Sequence, residues 1–317
     1  NCIVENHNQI TQFHDDEIDL RELFSVLLAA KIIIVAVTAA FALASVIFAI
    51  SLPNKYEASA LLTPAQNSSA GLSGVLDNLG GIGGLASLAG IKVGGGGGEA
   101  AIAQEILLSW GFVEKFIEEN DMAVEVFAAD GWNKEKNQLS IDNNLYDNDE
   151  NRWTRNPPSG KTVNPTSWEI YEEFLEMVSI STNKKTGLIS LSVEYFSPYI
   201  AKQWVDQLVV AINQYMQQRK LQMVNTNIEY LEAQILKTSI AGMKEVFYTI
   251  IEEQIKNKML AEASPEYVFV TVSPAMVPEE KSQPKRALIC ILGVLLGGML
   301  SVAFVLIRHY GFSKESN

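Results

Sequence analysis

The sequence predicts an α+β protein in which two transmembrane helices flank a membrane-proximal mixed α/β domain with a long projecting helix. Three observations predict it: a charge-free apolar block near each end of the 317-residue chain, a strand-like segment between the blocks next to each of them, and a long helical pattern that starts at residue 197 and resumes after a polar gap. The domains that follow are 1–31, 32–52, 53–286, 287–307 and 308–317.

The first block, Ile32 to Leu52, and the second, Ala287 to Ile307, each hold 21 residues without a charge. At roughly 1.5 Å per residue each makes a helix of about 30 Å, the thickness of a bilayer core. Lys31 and Lys55 flank the first, and Lys285, Arg286 and Arg308 flank the second, where their stems can reach the headgroups. The first block follows an acidic stretch and has a longer apolar core than a signal peptide, which favours a retained anchor. Gly293, Gly297 and Gly298 would weaken a soluble core helix but let backbones approach in lipid. Two spans put 1–31 and 308–317 on one side and 53–286 on the other. Four basic residues flank the membrane on each side, so the positive-inside count ties and does not set the orientation.

The chain carries a formal charge of −13, and most of it lies in the large loop, with 30 acidic against 20 basic residues. Nucleic acid is an unsuitable partner for such a surface. Both cysteines, Cys2 and Cys290, lie outside the loop, which therefore has no disulfide.

Directly after the first span, Tyr56 to Thr63 reads as a short strand, and so does Glu266 to Ser273 just before the second; their positions suggest that they pair at the membrane. Met177 to Ser181 and Leu188 to Tyr195 flank the turn Asn183 to Gly187 and predict a hairpin. In Glu99 to Glu119, Ile102, Ile106, Trp110, Val113 and Ile117 keep helical spacing, predicting one helical stripe. Thr166 with Glu169 forms a capping box for a short helix ending near Leu175.

Ser197-Pro198 starts the longest helical region, 197–262. Trp204, Leu208 and Tyr215 keep its spacing, and so do Leu231 and Ile235 after a polar gap; these are the candidate helix-packing residues. Tyr199 to Lys237 alone would reach roughly 60 Å. Two stretches are irregular. Residues 67–98 hold 12 glycines with interspersed apolar residues, readable as a mobile loop carrying a weak amphipathic segment or as plain disorder. Residues 130–164 are rich in Asn, Asp, Trp and Pro and predict an exposed excursion.

The loop holds neither His nor Cys, since the histidines are His7, His14 and His309. This removes a Ser-His-Asp triad, a thiolate nucleophile and His-ligated zinc from it. No Gly-Lys-Ser/Thr follows Gly94 to Gly98, so a phosphate-cradling loop is absent as well. Asp147, Asp149 and Asn151 resemble the start of a calcium loop, but Arg152 and Pro158 stand where Gly and Glu are needed. Solvated carboxylates are the better reading, and no catalytic, cofactor-binding or metal-binding residue is assigned.

Several of these features together resemble the Wzz-type chain-length determinants, the polysaccharide co-polymerases. They are Asp16-Glu17-Ile18-Asp19-Leu20 before the first span, Pro53-Asn54-Lys55-Tyr56-Glu57-Ala58 after it, and Pro274, Pro278 and Pro284-Lys285-Arg286 leading into Gly293 and Gly297. Ala241 to Pro278 is similar to that family's last helix and return strand. The glycine-rich loop and residues 130–164 depart from the pattern.

The resemblance implies a bacterial inner-membrane protein with both termini cytoplasmic, residues 53–286 periplasmic, and a homo-oligomeric ring. It also implies action with a Wzy-type polymerase on undecaprenyl-linked units, setting the chain length of O antigen or a related polysaccharide without catalysis. Pro274, Pro278, Pro284, Gly293, Gly297 and Gly298 become the candidates for membrane packing or polymerase contact. Two other classes share the layout. One is the membrane adaptor of a capsule tyrosine kinase encoded separately, because only ten residues, Arg308 to Asn317, follow the second span where a fused kinase would need a Walker-type domain. The other is an anchored periplasmic glycan hydrolase, which would use two loop carboxylates.

Overall fold

The structure, a computed structural model, describes residues 26–65 and 97–312. The Asp16 to Leu20 motif and nearly all of the glycine-rich stretch lie outside them. The chain divides into a unit of the two terminal segments, bounded by Leu52 and Pro284, and a unit spanning Pro53–Gln283.

The first unit contains helices α1 (Lys31–Ser51) and α8 (Arg286–Phe312). Both are long and apolar enough to cross a membrane, with mean hydropathy 2.7 and 2.6 over their most apolar windows. They run antiparallel, since Gly293 lies against Ser45 and Gly297 against Phe41. Away from that contact Ile32, Ile47, Leu295 and Met299 stand exposed, as lipid-facing side chains would. The hydroxyls within the helices return their protons to backbone carbonyls: Thr38 to Ile34, Ser45 to Ala42 and Ser301 to Gly298, each at 2.8 Å. These three hydroxyls are therefore satisfied inside the helices and need no partner in hydrocarbon.

The second unit is built on a four-stranded antiparallel sheet ordered β6-β7-β1-β8, made of β1 (Tyr56–Pro64), β6 (Val178–Thr182), β7 (Ile189–Tyr195) and β8 (Phe269–Ser273). The predicted strands and hairpin all form, and the two strands next to the membrane blocks pair with each other. The register Ala58↔Val193, Ala60↔Leu191, Leu62↔Ile189 puts six buried apolar side chains on one face, because successive residues alternate. The β6–β7 turn is closed by Asn183, whose Oδ1 accepts from the amides of Lys185 and Thr186, and by Gly187 at φ 71°. A positive φ there suits glycine.

Helices α2 (Gly97–Leu107), α3 (Trp110–Glu119), α4 (Ala123–Ala128), α5 (Ser167–Met177) and α6 (Pro198–Lys237) bury their apolar sides in the sheet's core. Trp204 is 1% exposed and meets Tyr195 in a tilted ring contact at 4.4 Å, with Phe174 at 5.9 Å. Both predicted helix starts are present. Thr166 and Glu169 make a reciprocal capping box, and Ser197 Oγ accepts from the Ile200 amide ahead of Pro198. Helix α7 (Ala241–Glu262) folds back along α6 after a break at 238–240.

Two expectations are corrected. Glu99 to Glu119 is not one helix: the chain breaks at Ser109, which is extended (ψ 146°) with its hydroxyl bonded back to Ile106 O. The predicted stripe therefore splits. Ile102 and Trp110 are exposed, and Ala100, Ala103, Leu107, Phe112 and Phe116 fill the core in their place. The excursion at 130–164 is also more structured than expected. It forms two small hairpins, β2 (Ala129–Asn133) with β3 (Gln138–Ile141) and β4 (Tyr146–Asp147) with β5 (Arg152–Trp153), and it contains a buried Arg155.

Candidate functional site

Three places carry the residues singled out from the sequence: the contact between the spans, the return segment after β8, and the α6–α7 hairpin. In the span pair, a Cβ at Gly293 would overlap the Ser45 side chain, and one at Gly297 would come within 2.6 Å of Phe41 Cβ. The absent side chains thus permit the close approach of α1 and α8. Gly298 lies off this contact, with nothing within 4 Å of its would-be Cβ.

In the return segment β8 ends at Ser273, and the chain stays outside the named strands until an isolated antiparallel bridge joins Lys55 to Gln283. Pro274 is exposed and Pro278 half-buried, as suits residues that donate no backbone hydrogen bond to a ladder. Pro284 follows the bridge. Lys55 N donates to Gln283 O at 3.0 Å, and Ser282 Oγ donates to Glu194 at 2.5 Å. The two segments that lead to the spans are therefore clamped together on the sheet.

Helix α6 divides along its length. Trp204, Leu208 and Ile212 are fully buried against the sheet, and Tyr215 packs edge-on to Phe112 at 5.7 Å while 36% exposed. Beyond Leu221 the inward stripe meets α7 instead: Val224 and Ile235 are buried, Ile228 and Leu231 half-buried, and Ile251 of α7 is 9% exposed. A two-helix layer covers only one side of each helix. The uncovered surface mixes polar residues such as Gln222, Asn225, Glu229 and Glu232 with large apolar ones, among them Tyr230 at 64%, Leu236 at 86% and Met259 at 63% exposed, and Ile240 in the intervening break is 61% exposed.

Two residues were missed by the sequence reading, one tying α6 to the start of β8 and one tying α6 to the end of α7. Asn213, 2% exposed, accepts on Oδ1 from the amides of Val268 and Phe269 and donates from Nδ2 to Val209 O and Phe269 O. Gln217, one turn on, donates to Ala261 O at 2.7 Å and Ser264 O at 3.1 Å. The available signal was a pair of amides four residues apart on an otherwise apolar face.

The titratable groups serve packing. Arg155 and Glu169 pair bidentately at 2.9 and 3.0 Å with both side chains buried, and Arg155 also donates to the carbonyls of Val163 and Thr162. Hydrogen bonds from Arg155 outweigh desolvation and hold the Glu169 carboxyl far below its usual range. Burial raises the Tyr195 and Tyr267 phenols, and it also raises Glu125 and Glu173. Asp147 Oδ1 accepts from the amides of Asp149 and Glu150, so it caps a turn. Among the described residues no group of three or more His, Cys, Asp or Glu comes together as a metal site. A shallow groove of about 100 Å³ between α3 and α6 is lined by Phe112, Phe116, Tyr215, Gln214 and Gln218, with Lys115 and Glu119 at its edge.

Comparison with known proteins adds two family matches. Residues 16–120 match the model "Wzz: Chain length determinant protein", and residues 241–310 match GNVR, "G-rich domain on putative tyrosine kinase". No curated protein matches the chain. Among solved structures, a full-length bacterial polysaccharide co-polymerase is 15% identical, matched over 94% of this chain and 100% of that one with a TM-score of 0.38. A fragment of WzzB, a polysaccharide co-polymerase from Salmonella Typhimurium, is 12% identical over 73% of this chain and 100% of the other, with a TM-score of 0.27. The first of the two matches contains both the acidic motif before α1 and the exit segment after it, and it supports the Wzz-type family on which the sequence reading settled.

Proposed function

We propose that this chain, Wzz-type over residues 16–120, is a non-enzymatic, homo-oligomeric inner-membrane scaffold that sets the length of O antigen or a related surface polysaccharide. It acts with a Wzy-type polymerase on undecaprenyl-linked units, with residues 53–286 periplasmic and both termini cytoplasmic. The observation that carries this reading is the large apolar side chains left exposed along the α6–α7 hairpin, Leu236 and Ile240 at its tip and Met259 near the end of α7. Exposed apolar side chains gathered on one element call for a partner, and copies of the same chain supply one at the concentration of a membrane assembly. Pro274, Pro278 and Pro284 lead the chain to the bilayer. Gly293 and Gly297 set the spacing of the spans, and the lipid-facing sides of the spans, including Gly298, remain for the polymerase.

A second reading is favoured by the GNVR match at 241–310: a membrane adaptor of a separately encoded tyrosine kinase in capsule or exopolysaccharide export. A polysaccharide gel from cells with and without the gene separates the two. Loss of the preferred length with polymer retained supports the scaffold. Loss of polymer itself supports the adaptor.

A further inference from the structure

Trp132, in the β2–β3 hairpin, packs between Tyr56 and Tyr199, with ring centroids 5.7 and 6.2 Å away. The cluster is not core. Tyr199 is 52% exposed, and Trp132 and Tyr56 are half-buried. The indole N–H donates to Asn137 Oδ1 at 3.0 Å, so the ring's polar edge is satisfied. The turn is fixed by Asn133, which accepts from the amides of Glu135 and Lys136, and it presents Lys134 and Lys136 to solvent.

Along the chain, the cluster is tied by short connections to both spans. Tyr56 follows Lys55, which is hydrogen-bonded to Gln283, and Gln283 is three residues from the start of α8 at Arg286. Three residues reach at most about 11 Å. The interfacial zone of each leaflet adds about 5–8 Å beyond the hydrocarbon. A Trp with two Tyr, apolar in body and polar at one edge, is the composition enriched at that depth. Lys134 and Lys136 beside them can meet anionic headgroups, with Glu135 between them and Asp130 on the same hairpin balancing its formal charge.

We propose that the β2–β3 hairpin and the Trp132–Tyr56–Tyr199 cluster form an interfacial foot that rests among the lipid headgroups of the bilayer the spans cross. The proposal rests on the reading of α1 and α8 as spans, and the test separates the two.

The full chain carrying Cys2→Ser and Cys290→Ser is placed in nanodiscs of phosphatidylethanolamine and phosphatidylglycerol doped with a nickel-chelating lipid. Nitroxide labels are put at single cysteines: Lys134→Cys on the foot, Lys184→Cys in the turn at the opposite end of the sheet, and Leu295→Cys on the exposed side of α8. Headgroup nickel should relax the Lys134 label several-fold more than the Lys184 label, while the Leu295 label shows the oxygen accessibility of the bilayer interior. Adding Trp132→Ala or, separately, Tyr199→Ala should bring the Lys134 label down toward the Lys184 value. Equal relaxation at Lys134 and Lys184 with a deep Leu295 label overturns the foot alone. A water-exposed Leu295 label overturns the spans and the foot together. A strong Lys134 signal that survives both aromatic substitutions also overturns the foot, because the cluster would then not be what holds it.

Discussion

Arg155 and Glu169 bury opposite charges at the end of an excursion whose composition suggests only exposure. Such a pair adds little over apolar residues of the same shape, but removing one member leaves the other desolvated, at a cost of about 3–5 kcal/mol. Lys161, 3.1 Å from Glu169 and 44% exposed, offsets part of that loss. Arg155→Ala should therefore lower the unfolding temperature of the detergent-solubilised protein, and the double variant Arg155→Met with Glu169→Leu should recover much of it. The same pair fixes a pH dependence. The folded-state pKa of Glu169 is depressed, so its contribution is complete above the unfolded value of about 4.3 and is lost as pH falls below that toward the folded value. Thermal stability measured from pH 7 down to pH 3 should decline at the acid end, and less steeply in Glu169→Gln. At Gly293 and Gly297 the forecast is steric. Leu at both positions cannot fit against Ser45 and Phe41 without parting the helices, yet Leu inserts at least as well as Gly. The double variant should reach the membrane at normal level and lose its preferred polymer length; an unchanged length distribution would show that this contact has no role.

The α6–α7 hairpin and the Ser109 break show what was legible at the scale of elements. Caps, turns and alternating strands are local, and Thr166 with Glu169, Ser197-Pro198 and Asn183 to Gly187 were all readable because each closes its own hydrogen bonds. The Ser109 break was not, because Ile102, Ile106, Trp110 and Val113 keep helical spacing across it. Only the tertiary fit of Phe112 and Phe116 against Phe174 and α6 selects two helices over one. Asn213 and Gln217 were missed for a similar reason: their partners lie 44 to 56 residues ahead in sequence. At the hairpin, periodicity located the stripe Leu221 to Ile235 but could not say what covers it. Leu231→Asp should disturb the α6–α7 contact, since burying an unpaired charge is costly, and limited proteolysis of the variant should cut near residues 238–240 sooner than in the parent. Asn213→Ala should loosen β8 from α6, leaving the amides of Val268 and Phe269 without their acceptor at about 1–3 kcal/mol each.

The proposed scaffold is a whole-molecule property, held at the membrane by two spans, and its topology can be checked directly. A membrane-impermeant thiol reagent added from outside the inner membrane should modify a cysteine introduced at Ser159 and spare one at Ser316. Individual acids of the excursion should be dispensable: Asp147→Asn and Glu150→Gln should leave polymerisation intact, because Asp147 caps a turn and Glu150 pairs with Arg152 at the surface. In the proposed function, polymer length depends on the assembled hairpin surface rather than on a reacting side chain. The most direct measurement is the surface-polysaccharide ladder of cells whose only copy of the gene carries Leu236→Asp and Ile240→Asp, read beside membrane cross-linking of the same cells. Both positions are exposed in the single chain, so folding and insertion should be kept. The account predicts that the large cross-linked species and the preferred length disappear together while polymer is still made. A normal ladder from cells in which the assembly is lost, or a lost preferred length with the assembly intact, would contradict it.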